Sequence, residues 1–180
     1  MDLDKKVWEV LCSEEEINQR ITEMGKQISE EYKGKNLYVI SLLKGSFVFT
    51  ADLVRKISIP VKIGFMTTSS YGHSDTSSGK VQMKADITDD LEEYDVMVVD
   101  DIVDSGITMN FVLEHLKSKN PKSLASCVLL DKPSRRQIFM EPDYVGFTIE
   151  DKFVVGYGLN YGDYYINIPY VFAVTNEDKE

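Results

Sequence analysis

The stretch Val96-Met97-Val98-Val99-Asp100-Asp101-Ile102-Val103-Asp104-Ser105-Gly106-Ile107-Thr108 largely decides the fold expected for this 180-residue chain. Its first four residues are apolar and three of them are valine, which is typical of a buried strand in a parallel sheet. Two carboxylates follow at the expected end of that strand, and a third opens a short loop rich in hydroxyl groups. Beyond the loop, apolar residues recur at helical spacing, at Met109, Val112, Leu113 and Leu116. A strand, an acidic loop and a helix in this order predict a ligand crevice at the carboxyl end of an open α/β sheet.

The chemistry of the loop narrows the class of ligand. The backbone N–H groups of residues 105–108 and the helix dipole favour a phosphate group. The carboxylates of Asp100, Asp101 and Asp104 repel a phosphate, so they must face hydroxyl groups, a metal ion or a ring nitrogen. A sugar phosphate meets both requirements. In the alternative interpretation Asp104 and Ser105 are only turn and capping residues, but this leaves the adjacent Asp100 and Asp101 unexplained.

The remaining segments predict strands alternating with helices. A helix is expected over residues 13–32, where Ser13 and Glu16 form a capping-box pattern. A second helix is expected after the Lys44-Gly45-Ser46 turn. Further strands are predicted over residues 37–43, 60–70, 80–87, 123–130, 144–149, 153–157 and 171–174. This alternation indicates an α/β fold with a mainly parallel sheet.

Composition limits the functional classes. The length fits a single domain over residues 1–180, and no apolar run approaches the roughly 20 residues that a membrane span needs. A net charge of −10 argues against a nucleic-acid surface, which needs clustered Lys and Arg. The first residues lack a signal-peptide pattern, so a cytoplasmic protein is expected. In that compartment Cys12 and Cys127 are expected to be reduced thiols.

The segment 71–79 is almost entirely small or polar. It allows two interpretations, an exposed hairpin loop or a mobile lid over a site.

Several motifs together resemble the type I phosphoribosyltransferases, and among them the 6-oxopurine phosphoribosyltransferases. Residues 98–108 resemble the family's loop for phosphoribosyl diphosphate (PRPP), and residues 42–45 resemble its pyrophosphate turn. Residues 69–72 resemble the start of its catalytic loop, and residues 129–133 and 151–157 resemble its base-recognition segments. The resemblance implies a twisted, mainly parallel sheet flanked by helices, a small hood built from both chain ends, and a flexible catalytic loop near residues 70–80. It also implies a non-proline cis peptide between Leu43 and Lys44.

The resemblance implies a role for each matching residue in transferring the phosphoribosyl group from PRPP to N9 of hypoxanthine or guanine, giving IMP or GMP and pyrophosphate. Asp100 and Asp101 would hold the ribose hydroxyls, directly or through Mg²⁺, and Asp104 would exchange a proton with purine N7. The 5′-phosphate would lie in a loop formed by Asp104, Ser105, Gly106, Ile107 and Thr108. Lys44, Gly45 and Arg136 would contact pyrophosphate. Lys132, Phe153 and Val154 would bind the purine, and Ser70 and Tyr71 would close over the site.

Three positions depart from the family pattern. Asp100 stands where the family usually has Glu, Asn160 stands where an Asp holds a second Mg²⁺, and Ile166 stands where an Arg grips pyrophosphate. Asp163 is a candidate replacement ligand. These changes could compensate each other, or they could weaken the metal and pyrophosphate subsite. Substrate preference among hypoxanthine, guanine and xanthine stays open, and the resemblance implies a homodimer or homotetramer.

Two other functions remain as alternatives. The first is a PRPP- or nucleotide-sensing regulator on the same fold, motivated by Asn160 and Ile166. The second is a receiver domain with carboxylates at its strand ends, although the chain lacks the early acidic pair that such a domain needs.

Overall fold

The computed structural model describes residues 7–70 and 81–175 and contains two sheets. The larger sheet has six strands in the order β4-β3-β2-β5-β6-β7, and every neighbouring pair is parallel except β3 with β4. The smaller sheet is antiparallel in the order β1-β9-β8. The strands are β1 (Val7–Cys12), β2 (Leu37–Leu43), β3 (Val61–Ser70), β4 (Val81–Ala85), β5 (Asp95–Val103), β6 (Ser123–Asp131), β7 (Tyr144–Thr148), β8 (Val154–Val155) and β9 (Val171–Thr175). The helices are α1 (Glu14–Glu31), α2 (Phe47–Val54) and α3 (Ile107–Lys117), and a 3₁₀ turn spans Pro133–Arg135. The predicted α/β class with a mainly parallel sheet is confirmed.

Strand β5 lies at the centre of the large sheet and is buried on both faces. Met97 and Val99 pack into the core beneath α1 and α2, whereas Val96 and Val98 pack into the core beneath α3. All four side chains are fully buried. Burying a side chain of this size stabilises the fold by roughly 1.5–3 kcal/mol, so the valine-rich run fixes β5 between the two helical layers.

Helix α1 begins where the capping-box pattern predicts. The N–H of Glu16 donates to Oγ of Ser13 at 3.2 Å, and the N–H of Ser13 donates to Oε2 of Glu16 at 2.8 Å. One face of the helix is buried, through Ile17, Ile21, Met24 and Ile28. The cap and the apolar face together explain why this prediction is confirmed.

The pairing of β5 with its two neighbours creates the crevice. Its ladder with β2 ends at the pair Ser41–Val99, whereas its ladder with β6 continues to Val103–Asp131. The chain order also reverses between β2 and β5, since β3 lies outside β2 and β6 lies on the far side of β5. Such a switch point is where open α/β sheets bind ligands.

The structure corrects two strand boundaries. Asp100 and Asp101 were expected beyond the end of the central strand, but β5 runs through them to Val103 because β6 continues to pair there. The strand predicted over residues 153–157 is confined to Val154–Val155, because the chain turns at Gly156, which has φ 99°.

Strand β1 was not predicted from the sequence. It pairs with β9, which in turn pairs with β8, so residues from both ends of the described chain form the small sheet. Trp8 and Val10 remain 42% and 55% exposed. Because apolar side chains also occupy the outer face, β1 lacks the alternation of apolar and polar residues by which a half-buried strand is recognised.

The membrane and thiol expectations concern the helices and the two cysteines of the described residues. None of the helices there is long and apolar enough to cross a membrane. Cys12 and Cys127 are both buried free thiols, as expected, and burial raises the pKa of Cys12 to about 11.

Candidate active site

Asp100 and Asp101 lie side by side at the open edge of β5. Both residues are half-buried, and each accepts a hydrogen bond from the next backbone N–H, at 3.0 Å for Asp100 and 2.8 Å for Asp101. Burial raises the pKa of the Asp100 carboxyl well above its ordinary value, and the neighbouring Asp101 adds to the effect. Burial also raises the pKa of Asp101. The pair is therefore primed to accept hydroxyl donors or a cation, because either would relieve the repulsion.

The loop after β5 forms a small cavity at the start of α3. Asp104 is exposed, and its carboxylate accepts a hydrogen bond from the N–H of Ser105. Gly106 takes φ 81° and precedes the first residue of the helix, Ile107. A cavity of about 80 Å³ lies here, lined by Asp100, Ile102, Val103, Asp104, Gly106, Thr108 and Met109. Backbone N–H groups and the helix dipole make such a position favourable for a phosphate.

The turn after β2 crosses directly over Asp101. The peptide bond between Leu43 and Lys44 is cis, as expected. A Cβ on Gly45 would lie 1.9 Å from Oδ2 of Asp101, and a Cβ on Gly158 would lie 2.3 Å from the carbonyl oxygen of Gly45. Three distant segments therefore meet here with no space for side chains at the two glycines. The side chain of Lys44 is exposed at the same turn.

A buried chain of hydroxyl groups lies behind this turn, and the sequence analysis did not identify it. Oγ of Ser46 donates to the carbonyl oxygen of Leu42 at 2.5 Å, so its only proton is used there. Ser41 must then donate to Ser46 at 2.7 Å, and Thr50 must donate to Ser41 at 2.8 Å. The three hydroxyl groups are almost fully buried, and their donors run in one direction towards the turn.

The predicted purine residues lie on the adjacent segments. Lys132 is only 8% exposed, and its Nζ donates to the carbonyl oxygen of Lys152 at 2.7 Å, with Oδ1 of Asp151 at 3.8 Å. Phe153 is 53% exposed and meets Tyr161 edge to face at 5.6 Å between ring centroids. The exposed face of this phenylalanine is free to stack, which a residue packed in the core could not do. Val154 is buried and pairs with β9.

Arg136 lies behind the acidic loop. Its Nη1 donates to the carbonyl oxygens of Asp104 at 2.7 Å and Val103 at 3.1 Å. Its Nε donates to the carbonyl oxygen of Met140 at 3.0 Å, and its Nη2 pairs with Asp131. The side chain is 15% exposed. With four N–H donors used inside the protein, this geometry argues against the predicted pyrophosphate contact.

Two of the departures from the family pattern, Asn160 and Ile166, lie in a compact double turn over residues 156–166. The N–H of Gly158 donates to the carbonyl oxygen of Ile166 at 3.0 Å. Asn160 and Asp163 are exposed, and Asp163 has φ 68°. Within the described chain no cluster of three His, Cys, Asp or Glu residues is arranged to hold a metal ion.

The catalytic-loop prediction falls largely outside the described residues. Ser70 is the last residue of β3, but its side chain, Tyr71 and the rest of the expected lid are not described.

Comparison with known proteins gives a consistent assignment. Residues 8–162 match the model of the phosphoribosyl transferase domain family. The hypoxanthine phosphoribosyltransferase of Salmonella typhimurium is 46% identical over 177 residues, covering 97% of this chain and 99% of the relative. The enzyme of the same name from Escherichia coli K12 is 45% identical with the same coverage.

Solved structures agree with these sequence relatives. A hypoxanthine phosphoribosyltransferase from Staphylococcus aureus superposes with a TM-score of 0.90 at 41% identity, over 96% of this chain and 94% of that one. A hypoxanthine-guanine phosphoribosyltransferase from Bacillus anthracis gives a TM-score of 0.86 at 41% identity, over 93% and 97% of the two chains. This chain, with its acidic loop at the end of β5, therefore belongs to the phosphoribosyl transferase domain family.

Proposed function

We propose that this chain is a purine-salvage enzyme that transfers the 5-phosphoribosyl group from PRPP to N9 of hypoxanthine or guanine, giving IMP or GMP and pyrophosphate. The observation that carries the proposal is the convergence at one sheet edge of the Asp100–Asp101 pair, the cavity beside Asp104 and the Gly45 turn. Close similarity to hypoxanthine phosphoribosyltransferases over nearly the whole chain supports it.

Ribose and phosphate would bind along β5 and the loop that follows it. The 5′-phosphate would occupy the small cavity, held by the backbone N–H groups of residues 106–108 and the hydroxyls of Ser105 and Thr108. Asp100 and Asp101 would accept hydrogen bonds from the 2′- and 3′-hydroxyls. Their negative charge would also stabilise C1 as it gains positive character during transfer.

Mg²⁺ fits the donor set at this edge. Carboxylate oxygens are the ligands it prefers, and because burial raises the pKa of both Asp100 and Asp101, a cation bound there would stabilise their charged forms. These two residues would hold the ion, with the neutral amide oxygen of Asn160 as a weaker contributor. When bound, the ion neutralises charge on the departing pyrophosphate. Lys44 and Gly45 would contact the same group.

Asp104 would serve as the general acid and base. Its carboxylate is exposed at the crevice, so it can reach a ring nitrogen of a bound purine. It would exchange a proton with N7 while N9 attacks C1. Ser70 and Tyr71 would close over the site and exclude water, which otherwise competes for C1.

Purine selectivity would come from Lys132. A lysine ammonium has only donors, so it can bond a 6-oxo group but finds no acceptor in a 6-amino group. Because Lys132 is buried, binding adenine would leave it without a ligand acceptor, and this costs affinity. Phe153 would stack on the ring, and the backbone of Val154 would meet its Watson–Crick edge.

The proposal also covers the cellular location, the oligomeric state and the partners of the enzyme. We include a cytoplasmic location and a homodimer or homotetramer in the proposal. A solved structure of the Trypanosoma cruzi hypoxanthine phosphoribosyl transferase addresses the role of that protein's C-terminal region in its oligomeric state and enzymatic activity. The net charge of −10 argues against nucleic acid as a partner.

A substrate panel tests the proposed function. The protein is incubated with PRPP and hypoxanthine, guanine, xanthine or adenine across Mg²⁺ concentrations, and pyrophosphate and nucleotide are measured. Turnover with a 6-oxopurine but not adenine is expected, and Asn160→Asp should lower the Mg²⁺ concentration needed for half-maximal rate. No nucleotide from any 6-oxopurine would reject the proposal.

Asn160 and Ile166 favour one competing function, a PRPP- or nucleotide-sensing regulator. In that case calorimetry should detect binding of PRPP or IMP while the substrate panel gives no turnover.

A further inference from the structure

We infer that Arg136 is a positioning residue that holds the acidic loop from behind and sets the distance between Asp104 and Lys132. The inference rests on the proposed function, since it assigns those two residues to opposite edges of one purine. It replaces the predicted pyrophosphate contact of Arg136 with a role that never touches substrate.

The guanidinium group joins three separate segments. One nitrogen bonds the carbonyl oxygens of both Val103 and Asp104, another bonds Met140, and the third pairs with Asp131. Asp131 is itself nearly buried, with 13% of its side chain exposed. The guanidinium group spreads five N–H donors over three nitrogens, whereas a lysine has three donors on one nitrogen and cannot reach all four of these acceptors.

The carbonyl oxygen of Val103 connects the acid to the purine lysine. It accepts from Nη1 of Arg136 at 3.1 Å and from the backbone N–H of Lys132 at 2.9 Å. One acceptor therefore ties the residue before Asp104 to the backbone of Lys132. Since Asp104 and Lys132 would bind N7 and the 6-oxo group of one ring, their spacing must match that ring.

The loop is also seated on the segment that follows Arg136. The carbonyl oxygen of Ser105 accepts from the N–H groups of Gln137 at 2.9 Å and Ile138 at 3.2 Å. A Cβ on Gly106 would lie 3.4 Å from Cδ of Arg136 and 3.0 Å from Cγ of Met140. The carboxylate of Asp104 accepts from the N–H of Ser105 in the same loop, so its direction follows the backbone that this support holds.

IMP separates this role from a pyrophosphate contact, because it carries the 5′-phosphate and the purine but no pyrophosphate. Arg136→Lys is compared with Arg135→Lys, a half-exposed neighbour whose Nε lies 3.6 Å from Asp151. We expect Arg136→Lys to weaken IMP binding in calorimetry by about 10- to 100-fold, the effect of displacing groups by roughly 1 Å. Arg135→Lys should bind IMP like the unmodified protein. Unchanged IMP affinity in Arg136→Lys, with or without weaker pyrophosphate binding, would overturn the inference.

Chemical rescue separates local positioning from general destabilisation. A cavity of about 400 Å³ borders Arg136, lined also by Asp131, Pro133, Phe139, Met140, Glu141, Pro142 and Val145. Millimolar methylguanidinium should enter it and restore IMP affinity to Arg136→Ala. If that variant does not fold, Asp131→Asn serves instead and should weaken IMP binding in the same direction. A folded Arg136→Ala that is not rescued, or an Asp131→Asn without effect, would contradict the inference. Failure of the unmodified protein to bind IMP would instead reject the proposed function.

Discussion

Gly45 and Asp101 lie in direct contact, such that a Cβ on Gly45 would fall 1.9 Å from Oδ2 of Asp101. Gly45 belongs to the connection between β2 and α2, whereas Asp101 lies in the last part of β5, and they meet because β2 and β5 stop pairing after Ser41 and Val99. The absence of a side chain at residue 45 therefore allows the pyrophosphate turn to lie against the carboxylate proposed to bind ribose.

Gly45→Ala should disable the site, because the new methyl group would overlap Oδ2 of Asp101 and displace this half-buried carboxylate. We expect turnover to fall by about 10²-fold, as for a displacement of roughly 1 Å in a catalytic group. Gly34→Ala is the control, since Gly34 has φ 77° but open space around it. That control should lose about 1–2 kcal/mol of stability and keep its turnover. Equal turnover in the two variants would contradict the assigned contact.

Asp104→Asn should lower turnover by about 10²- to 10⁴-fold, the usual contribution of general acid–base catalysis. PRPP affinity should change little, because the amide still accepts a hydrogen bond from Ser105. Steady-state rates and calorimetry with PRPP separate the two effects. Asp90→Asn, in an exposed turn, is the matched control. An undiminished rate in Asp104→Asn would remove this residue from the proposed role.

Lys132→Ala should relax discrimination at the 6-position of the purine. The variant loses the buried donor proposed for the 6-oxo group, so hypoxanthine should lose kcat/KM relative to adenine. Lys122→Ala removes an exposed lysine that pairs with Glu93 at 2.9 Å and should keep the preference. Competition between labelled hypoxanthine and adenine measures the ratio. Full 6-oxo preference in Lys132→Ala would refute the assignment.

Asp100→Asn should stabilise the ligand-free protein at neutral pH while abolishing efficient turnover. The folded state raises the pKa of Asp100, so it binds more protons than the unfolded chain once the pH exceeds the ordinary aspartate pKa. The free energy of unfolding therefore falls as the pH rises towards the raised pKa. Asp100→Asn should flatten this decline and raise the Tm at pH 7, by about 2–4 °C for each kcal/mol gained. Calorimetric scans from pH 4 to 8 test this, and a lower Tm at pH 7 would argue against it.

Thr50→Val should destabilise the protein through the buried hydroxyl chain. The variant keeps the shape of the side chain but removes the donor to Ser41, leaving a buried hydroxyl short of a partner. A loss of about 1–3 kcal/mol is expected in urea unfolding. Thr22→Val is the control, because its exposed hydroxyl bonds the carbonyl oxygen of Asn18 at 2.8 Å on the surface of α1. Equal effects of both substitutions would show that burial of the network is unimportant.

Local patterns were sufficient for much of the fold. Strand β2 begins and ends where its apolar run predicts, and α1 begins after Ser13, where the capping box predicts. Each signal lies within a few residues of the element that it specifies. Strand β1 was not predicted because its position is fixed by pairing with β9, more than a hundred residues away. Its outer face also carries the apolar residues Trp8 and Val10.

For the same reason, only part of the candidate site could be predicted from the sequence. The motif around Asp104 lies within one strand, loop and helix start, so the sequence could indicate a phosphate cavity there. The position of Arg136 depends instead on carbonyl oxygens of Val103 and Asp104, which every residue type carries. Because backbone acceptors do not alter the pattern of side chains, the sequence could not predict the orientation of Arg136.

The small sheet also links the proposed purine site to the last strand of the described chain. Its central strand, β9, is made after every other described strand, and Val154 pairs directly with it. Val154 gains its pairing partner only when β9 is in place, so the strand proposed to bind the purine cannot be completed before β9 has been synthesised. During synthesis the proposed base site would therefore be completed last, which makes the proposed catalysis depend on pairing of the final described strand.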